Sequence, residues 1–289
     1  MPGLFILVLA LLTWATSLHA NETTDTIQRA KEGDATAQRL LGVMYDEGRG
    51  LPQDNLEAFR WYHLAAEQGD ALAQNNLGSM YNLGQGIPQN DTEAVKWFRR
   101  AAEQGSAVAQ VNLGRMCANG QGTNLDFKEA FTWFRLAAEQ GDPAGQESLA
   151  LMYANGHGAL LDLKEAAAWY RKSAMQGYAN AQFGLGKMYL NGLGMPQDYV
   201  QAHMWFNLAA ANGSEGAAKA RDKTAVVMTP DQIAEAQKMA RECPCSNNTD
   251  PAAPQKNGNY SAPGNESGSR GLAPWQVQDG DLVGFGAKP

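Results

Sequence analysis

A period of 36 residues runs through this chain and constrains its fold more than any other feature. Gly33, Gly69, Gly105, Gly141, Gly177 and Gly213 fall at that spacing without a slip. Gln38, Gln74, Gln110, Gln146 and Gln182 keep the same register, as do Leu41, Leu77, Leu113, Leu149 and Leu185. Met44, Met80, Met116, Met152 and Met188 follow, then Trp61, Trp97, Trp133, Trp169 and Trp205. Five units of this length, each too short to bury an apolar face alone, must stack on one another to make a continuous core.

Each unit reads as two helices. Ala37, Leu41, Met44 and Tyr45 lie at i, i+4, i+7 and i+8, one helical stripe. Asp34 is a ready N-cap, and Asp70, Ser106 and Asp142 repeat it. The helix is expected to end at Gly48, where a residue without Cβ takes a left-handed conformation. The second helix opens on a capping-box pattern in every unit: Asp54/Glu57, Asn90/Glu93, Asp126/Glu129, Asp162/Glu165 and Asp198/Gln201. Ala58, Trp61, Tyr62 and Ala65 are expected to form its buried stripe.

The pattern A-x-A-Q-x-x-L-G-x-M-Y-x-x-G-x-G, then D-x-x-x-A-x-x-W-[YF]-x-x-A-A-x-Q-G, resembles the Sel-one-like repeat, a relative of the tetratricopeptide repeat. Cys117, Ala150 and Gly145 depart from it, as do Asn124 and Leu160 where the loop Pro stands elsewhere, so the third and fourth units are the least regular. The resemblance implies an all-α fold, a right-handed α/α superhelix (solenoid) of five helix-pair repeats used as a protein-interaction scaffold. It names no partner. Hydrolase activity has been proposed for cysteine-rich relatives with a frame of paired cysteines, one pair per unit. This chain has a single Cys inside the array, so that analogy fails and the expectation is a protein that is not an enzyme.

The ends are of different material. Leu4 to Leu12 is apolar but too short for a bilayer, which needs about 20 such residues. With a plausible cut after Ala20 it reads as an export signal, which places the protein in the periplasm or, as the alternative, outside the cell as a host-interacting virulence factor. The stretch before Gly33 reads as an N-terminal capping helix. Helical segments around Glu215 to Asp222 and from Thr229 to Arg241 cap the other end, the second opening on a cap residue followed by Pro230. The reading therefore divides the chain into a signal peptide over 1–20, a capping helix within 21–33 and repeats over 34–212. Capping helices over 213–245 and a disordered tail over 246–289 follow, the tail rich in Asn, Ser, Gly and Pro. Trp275, Val277, Leu282, Val283 and Phe285 give it a few apolar residues.

With 23 basic and 30 acidic residues, a net charge of −7 and no basic run, the chain lacks the footprint of a nucleic-acid or anionic-lipid binder. No cofactor or metal is expected. His63, His157 and His203 occupy different places in the repeat, and Cys243-Pro-Cys245 lacks the second pair or His spacing that zinc needs. In an oxidising compartment those thiols pair with each other, with Cys117 or with another chain. The intervening proline disfavours the small ring and points to an external link. Gly184-Leu-Gly186-Lys187 resembles part of a phosphate loop but lacks the upstream Gly and the following Ser or Thr.

If the array binds a protein or peptide in its groove, the contacts come from first-helix positions that the core does not use and that vary between units. Those are Asn76, Ser79, Asn112, Arg115, Glu147 and Lys187. Their mixture of Asn, Arg and Lys points to a polar or acidic extended ligand, and a properly capped array is expected to be monomeric alone.

Overall fold

The computed structural model describes residues 22–214 and 216–246. The expected signal peptide and nearly all of the expected tail lie outside the described residues, as does Glu215. What is described is all helical: thirteen α-helices and one 3-10 turn, in two compact units.

The first unit, through Ser106, contains α1 (22–31), α2 (Ala35–Glu47), α3 (Asn55–Glu67), α4 (Ala71–Leu83) and α5 (Asp91–Glu103). The second contains α6 (Ala107–Asn119), α7 (Phe127–Glu139), α8 (Pro143–Asn155), α9 (Leu163–Met175), α10 (Ala179–Asn191) and α11 (Tyr199–Ala211). It is completed by α12 (Ala217–Ala225), α13 (Pro230–Glu242) and the 3-10 turn Pro244–Ser246. From α2 to α5, and again from α6 to α11, each helix packs on the next. α11 is then covered by both α12 and α13.

Local chemistry sets these boundaries. The Asp34 carboxylate accepts the Ala37 N–H at 2.9 Å, and Asp70 and Asp142 accept those of Ala73 and Gly145 at 2.8 Å. At the other end Gly48 adopts φ 69°, a left-handed residue whose N–H returns to the Met44 carbonyl. The second helices start on Asp54, Asn90, Asp126, Asp162 and Asp198, each accepting the backbone N–H three residues on.

The expected capping boxes do not close at these five sites. The cap residues' own N–H groups are already donated to carbonyls of the preceding helix or its counterpart: Asp54 to Tyr45, Asn90 to Tyr81, Asp126 to Cys117, Asp162 to Tyr153 and Asp198 to Tyr189. That bond ties the two helices of a repeat together and leaves nothing for the box glutamate. Glu57 and Glu93 turn to Arg60 and Lys96 instead. A reciprocal box forms at Thr229 and Gln232, where α13 begins.

The columns of the period become the core. Leu41, Leu77, Leu113, Leu149 and Leu185 are all buried. So are the recurring glutamines, and each has a defined task. The Gln74 amide donates to the Ala66 carbonyl at 3.0 Å while its oxygen accepts from Gln104 at 2.7 Å. Gln38 repeats this with Ala30 and Gln68, Gln146 with Ala138 and Gln176, and Gln182 with Ala174 and Asn212. A buried amide is tolerated because both ends are satisfied.

The aromatic column is a correction to the sequence reading. Tyr62, Phe98, Phe134 and Phe206 are the fully buried rings, whereas Trp61, Trp133 and Trp169 are half-buried. Ala58, Tyr62 and Ala65 stand at i, i+4 and i+7 and point into the core; the Trp beside them falls on the edge of the stripe. Trp97 and Trp205 are buried because other residues cover that edge, His63 edge-on against Trp97 at 5.8 Å among them.

The irregular fourth repeat is compensated by the fifth. Gly42, Gly78, Gly114 and Gly186 make room for the rings of Tyr62, Phe98, Phe134 and Phe206, which a Cβ would meet at 2.6–2.7 Å. Ala150 carries a Cβ at that register position, and the Tyr170 ring stands against Gly184 of the next repeat instead, where a Cβ would meet it at 2.6 Å. Gly184 occupies the place of Asn76, Asn112 and Ser148. Gly184→Ala should therefore cost about 1–3 kcal/mol by overpacking. Ala150→Gly in the same chain should recover part of that loss, giving a coupling of at least about 0.5 kcal/mol in a double-mutant cycle. Strict additivity in denaturant midpoints would show that the two positions do not share the ring.

Cys243 and Cys245 are joined to each other, not to an outside thiol. The extended backbone at Cys243, followed at once by the 3-10 turn, brings the Cα atoms to 5.1 Å, within ordinary disulfide reach. Cys245 is buried in the second unit's core, where the turn packs on α9. Cys117 lies on α6, also buried and outside any disulfide.

Candidate functional site

The six residues singled out from the sequence do not form one solvated face. Ser79, Asn112 and Glu147 are buried, and Asn76, Arg115 and Lys187 are half-buried. The expectation that the core leaves these positions alone fails for the first three. A helix packed on two neighbours uses more than one stripe, and α6 and α8 also touch each other directly. In the first unit, Ser79 donates to the Asn75 carbonyl at 3.1 Å, and the Asn76 amide interacts with the Tyr62 hydroxyl. Both roles are local to the helix pair.

In the second unit the structure brings two of the six together. Arg115 on α6 and Glu147 on α8 interact electrostatically across the contact between those helices. Two residues that the sequence reading missed complete the group. Tyr178 stands at the N-cap of α10, where other repeats place Asp34, Asp70, Ser106 or Asp142. Its side chain caps nothing; the hydroxyl takes a hydrogen bond from Arg115 instead. Tyr170 adds its phenol from α9. The signal for Tyr178 was present as the one large residue in a column of small cap formers.

The electrostatics of this group are unlike those of a surface ion pair. Burial pushes the Glu147 carboxyl up to about 7, the Arg115 charge opposing only part of the shift. Burial raises the Tyr178 phenol to about 12, with Glu147 adding to the rise and Arg115 opposing it. Tyr170 is raised by burial and by Glu147. Near neutrality this unit therefore holds a carboxyl that exchanges its proton beside a permanent cation. Among the described residues no other carboxyl is driven as far.

Lys187 lies further along, on α10, its ammonium 5.1 Å from the centre of the Phe183 ring. Arg115, Leu151 and Lys187 occupy the same register position in three successive repeats, so two cations flank a leucine on the first helices of this unit. The phosphate-loop fragment around Gly186 is the middle of α10, with Gly186 pressed on Phe206. His157 stacks on Phe127 at 4.3 Å and His203 is buried in α11; burial lowers the pKa of both. Among the described residues no three His, Cys, Asp or Glu side chains are placed to share a metal ion, and no helix is long and apolar enough to cross a membrane.

Paired 13-residue helices repeated in strict register define a tetratricopeptide-like repeat protein. The chain belongs to the Sel1 repeat family, whose repeat matches it at 35–70, 71–106, 107–142, 143–178 and 179–214. It is similar to the crystal structure of a Sel1 repeat protein from Oxalobacter formigenes, with 33% identity and a TM-score of 0.69 over 81% of this chain and 95% of that one. It is also similar to c5321, a protective antigen of uropathogenic Escherichia coli with an SLR fold. There the identity is 29% and the TM-score 0.53, covering 77% of this chain and 56% of the other. Comparison with curated proteins gave no match. Sel1 repeat proteins are generally non-catalytic scaffolds for protein interaction.

Proposed function

We propose that this protein is an exported adaptor whose first-helix face in the second unit holds an extended acidic segment of a partner protein. The observation that carries the reading is the placement of Arg115 and Lys187 at equivalent positions of the third and fifth repeats, half-buried and separated by Leu151. Cations held in this way have lost part of their hydration, and a charge-assisted hydrogen bond to a partner carboxylate restores it. The alternation of cation and leucine also provides an apolar contact between the two. Export is supported by the apolar stretch from Leu4 to Leu12 and the cut expected after Ala20.

The test uses the full chain and two labelled twelve-residue peptides, one alternating Glu and Gly and one alternating Lys and Gly, read by fluorescence anisotropy. The acidic peptide should bind and the basic one should not. Lys187→Ala should weaken the acidic peptide about 10- to 150-fold, the range of one charged hydrogen bond. Equal binding of both peptides, or an unchanged affinity in the variant, would sink the reading.

A further inference from the structure

We propose that Glu147 is a proton-operated gate on this site: ionised, it occupies the Arg115 charge and weakens an acidic ligand; protonated, it releases that charge to the ligand. The inference rests on the acidic-peptide reading above and adds its regulation. Glu147 is the sole charged residue of α8 and is only 8% exposed, so its charge has little water to turn to. Arg115 faces it from α6, which packs directly on α8. From α9 comes Tyr170, and from the N-cap of α10 comes Tyr178, the phenol that also holds Arg115. Asp142, at the N-cap of α8, is engaged with the Gly145 N–H. On α7, which packs against the other side, Lys128, Arg135 and Glu139 are exposed, and Glu129 accepts the Trp133 indole N–H.

Both phenols stay neutral through the physiological range, so Glu147 is the group in this cluster whose charge changes there. Its ordinary range lies far lower, and burial has moved it to about 7. Arg115 keeps its charge at every relevant pH. The sum of the two is therefore zero on the alkaline side and +1 on the acid side. An acidic peptide, whose own glutamates remain ionised down to about pH 5, meets a cationic site only when Glu147 carries its proton. The coupling is reciprocal: a bound carboxylate beside Arg115 must in turn make Glu147 harder to deprotonate.

The experiment measures the Glu–Gly peptide against the full chain at about pH 6 and about pH 8, where the expected difference is about fivefold in favour of the lower pH. Glu147→Gln keeps the shape and removes the proton; it should bind tightly and equally at both values. In parallel, the carboxyl carbon of Glu147, assigned by its loss in the variant, is titrated by NMR with and without peptide. Its midpoint should rise by about one pH unit on binding. Equal affinity of the parent at both pH values would leave the peptide site standing and overturn the gate. A pH dependence that survives in Glu147→Gln would assign it to another titrating group and also overturn the gate. No binding by parent or variant would remove the peptide reading itself, and the gate with it, even if the carboxyl titrates near neutrality.

Discussion

Phe134→Ala is expected to lower the stability of the second unit by about 3–5 kcal/mol, the range for truncating a fully buried aromatic ring. Trp133→Ala, one residue earlier and larger by volume, is expected to cost about 1–2 kcal/mol. The order follows from position. Phe134 is wholly buried, and its ring fills the space that Gly114 leaves open on α6. Its loss opens a cavity between the two helices of a repeat that rigid neighbours cannot close. Trp133 is half-buried, and its indole N–H is held by Glu129 at 3.2 Å on the same helix. Removing it exposes little that was dry. Denaturant midpoints followed by helical circular dichroism, with hydrogen exchange in α6 and α7 to localise the loss, distinguish the two. A larger effect at Trp133 would reverse the assignment of the core stripe.

Glu147→Gln should stabilise the protein, and more so as the pH rises. The folded chain keeps a proton on Glu147 up to about 7, whereas an unfolded glutamate loses it near about 4.3. Between those values the fold binds the extra proton, so this group makes the parent less stable as pH increases through that window. Above it the penalty is constant. The advantage of the variant should grow by about 2 kcal/mol between about pH 5 and about pH 8, most of it below neutrality. The gap in melting temperature should widen by about 4–8 °C over the same interval. A gap independent of pH would mean that Glu147 titrates as an ordinary surface carboxylate. Asp34 behaves oppositely: its helix N–H and Arg29 partners hold it below its ordinary range, so protonation at low pH removes a favourable interaction. It is common to both chains and cancels in the comparison.

How much of this was legible in the chain depended on how local the cause was. The repeat length, the starts of the second helices on Asp54 and its counterparts, and the glycine stops all arise within a few residues of one another. The structure places each where the spacing put it. The leucine column was legible for the same reason, since a 36-residue period sends equivalent positions to equivalent depths. The recurring glutamine was visible as a pattern, but its task was not. It requires a carbonyl eight residues earlier and an amide 30 residues later, both supplied only when the helices have stacked.

The binding candidates were the least legible. Variation between repeats marks a position as unlike its counterparts, but it does not say whether the new side chain meets solvent or another helix. Asn112 and Glu147 vary and are buried; Arg115 and Lys187 vary and are half-buried. Tyr178 drew no notice beside the small cap formers Asp34, Asp70, Ser106 and Asp142, whereas in the fold it is the partner of Arg115. The same distinction separates the cysteines: a two-residue separation and a proline argued against a ring, and the turn after α13 closed one.

Sequence alone therefore determined the repeat, its helix pairs, the N-cap residues that start them and the buried leucine column, because backbone propensity, capping and periodic burial act over a single turn or a single unit. Tertiary structure decided which aromatic of each pair is the core ring, where the displaced Tyr170 ring goes, and that Arg115, Glu147, Tyr170 and Tyr178, distant in sequence, come together in one partly buried group. Those outcomes depend on how closely neighbouring helices approach and on how much water is left between them, quantities that no stretch of chain carries by itself.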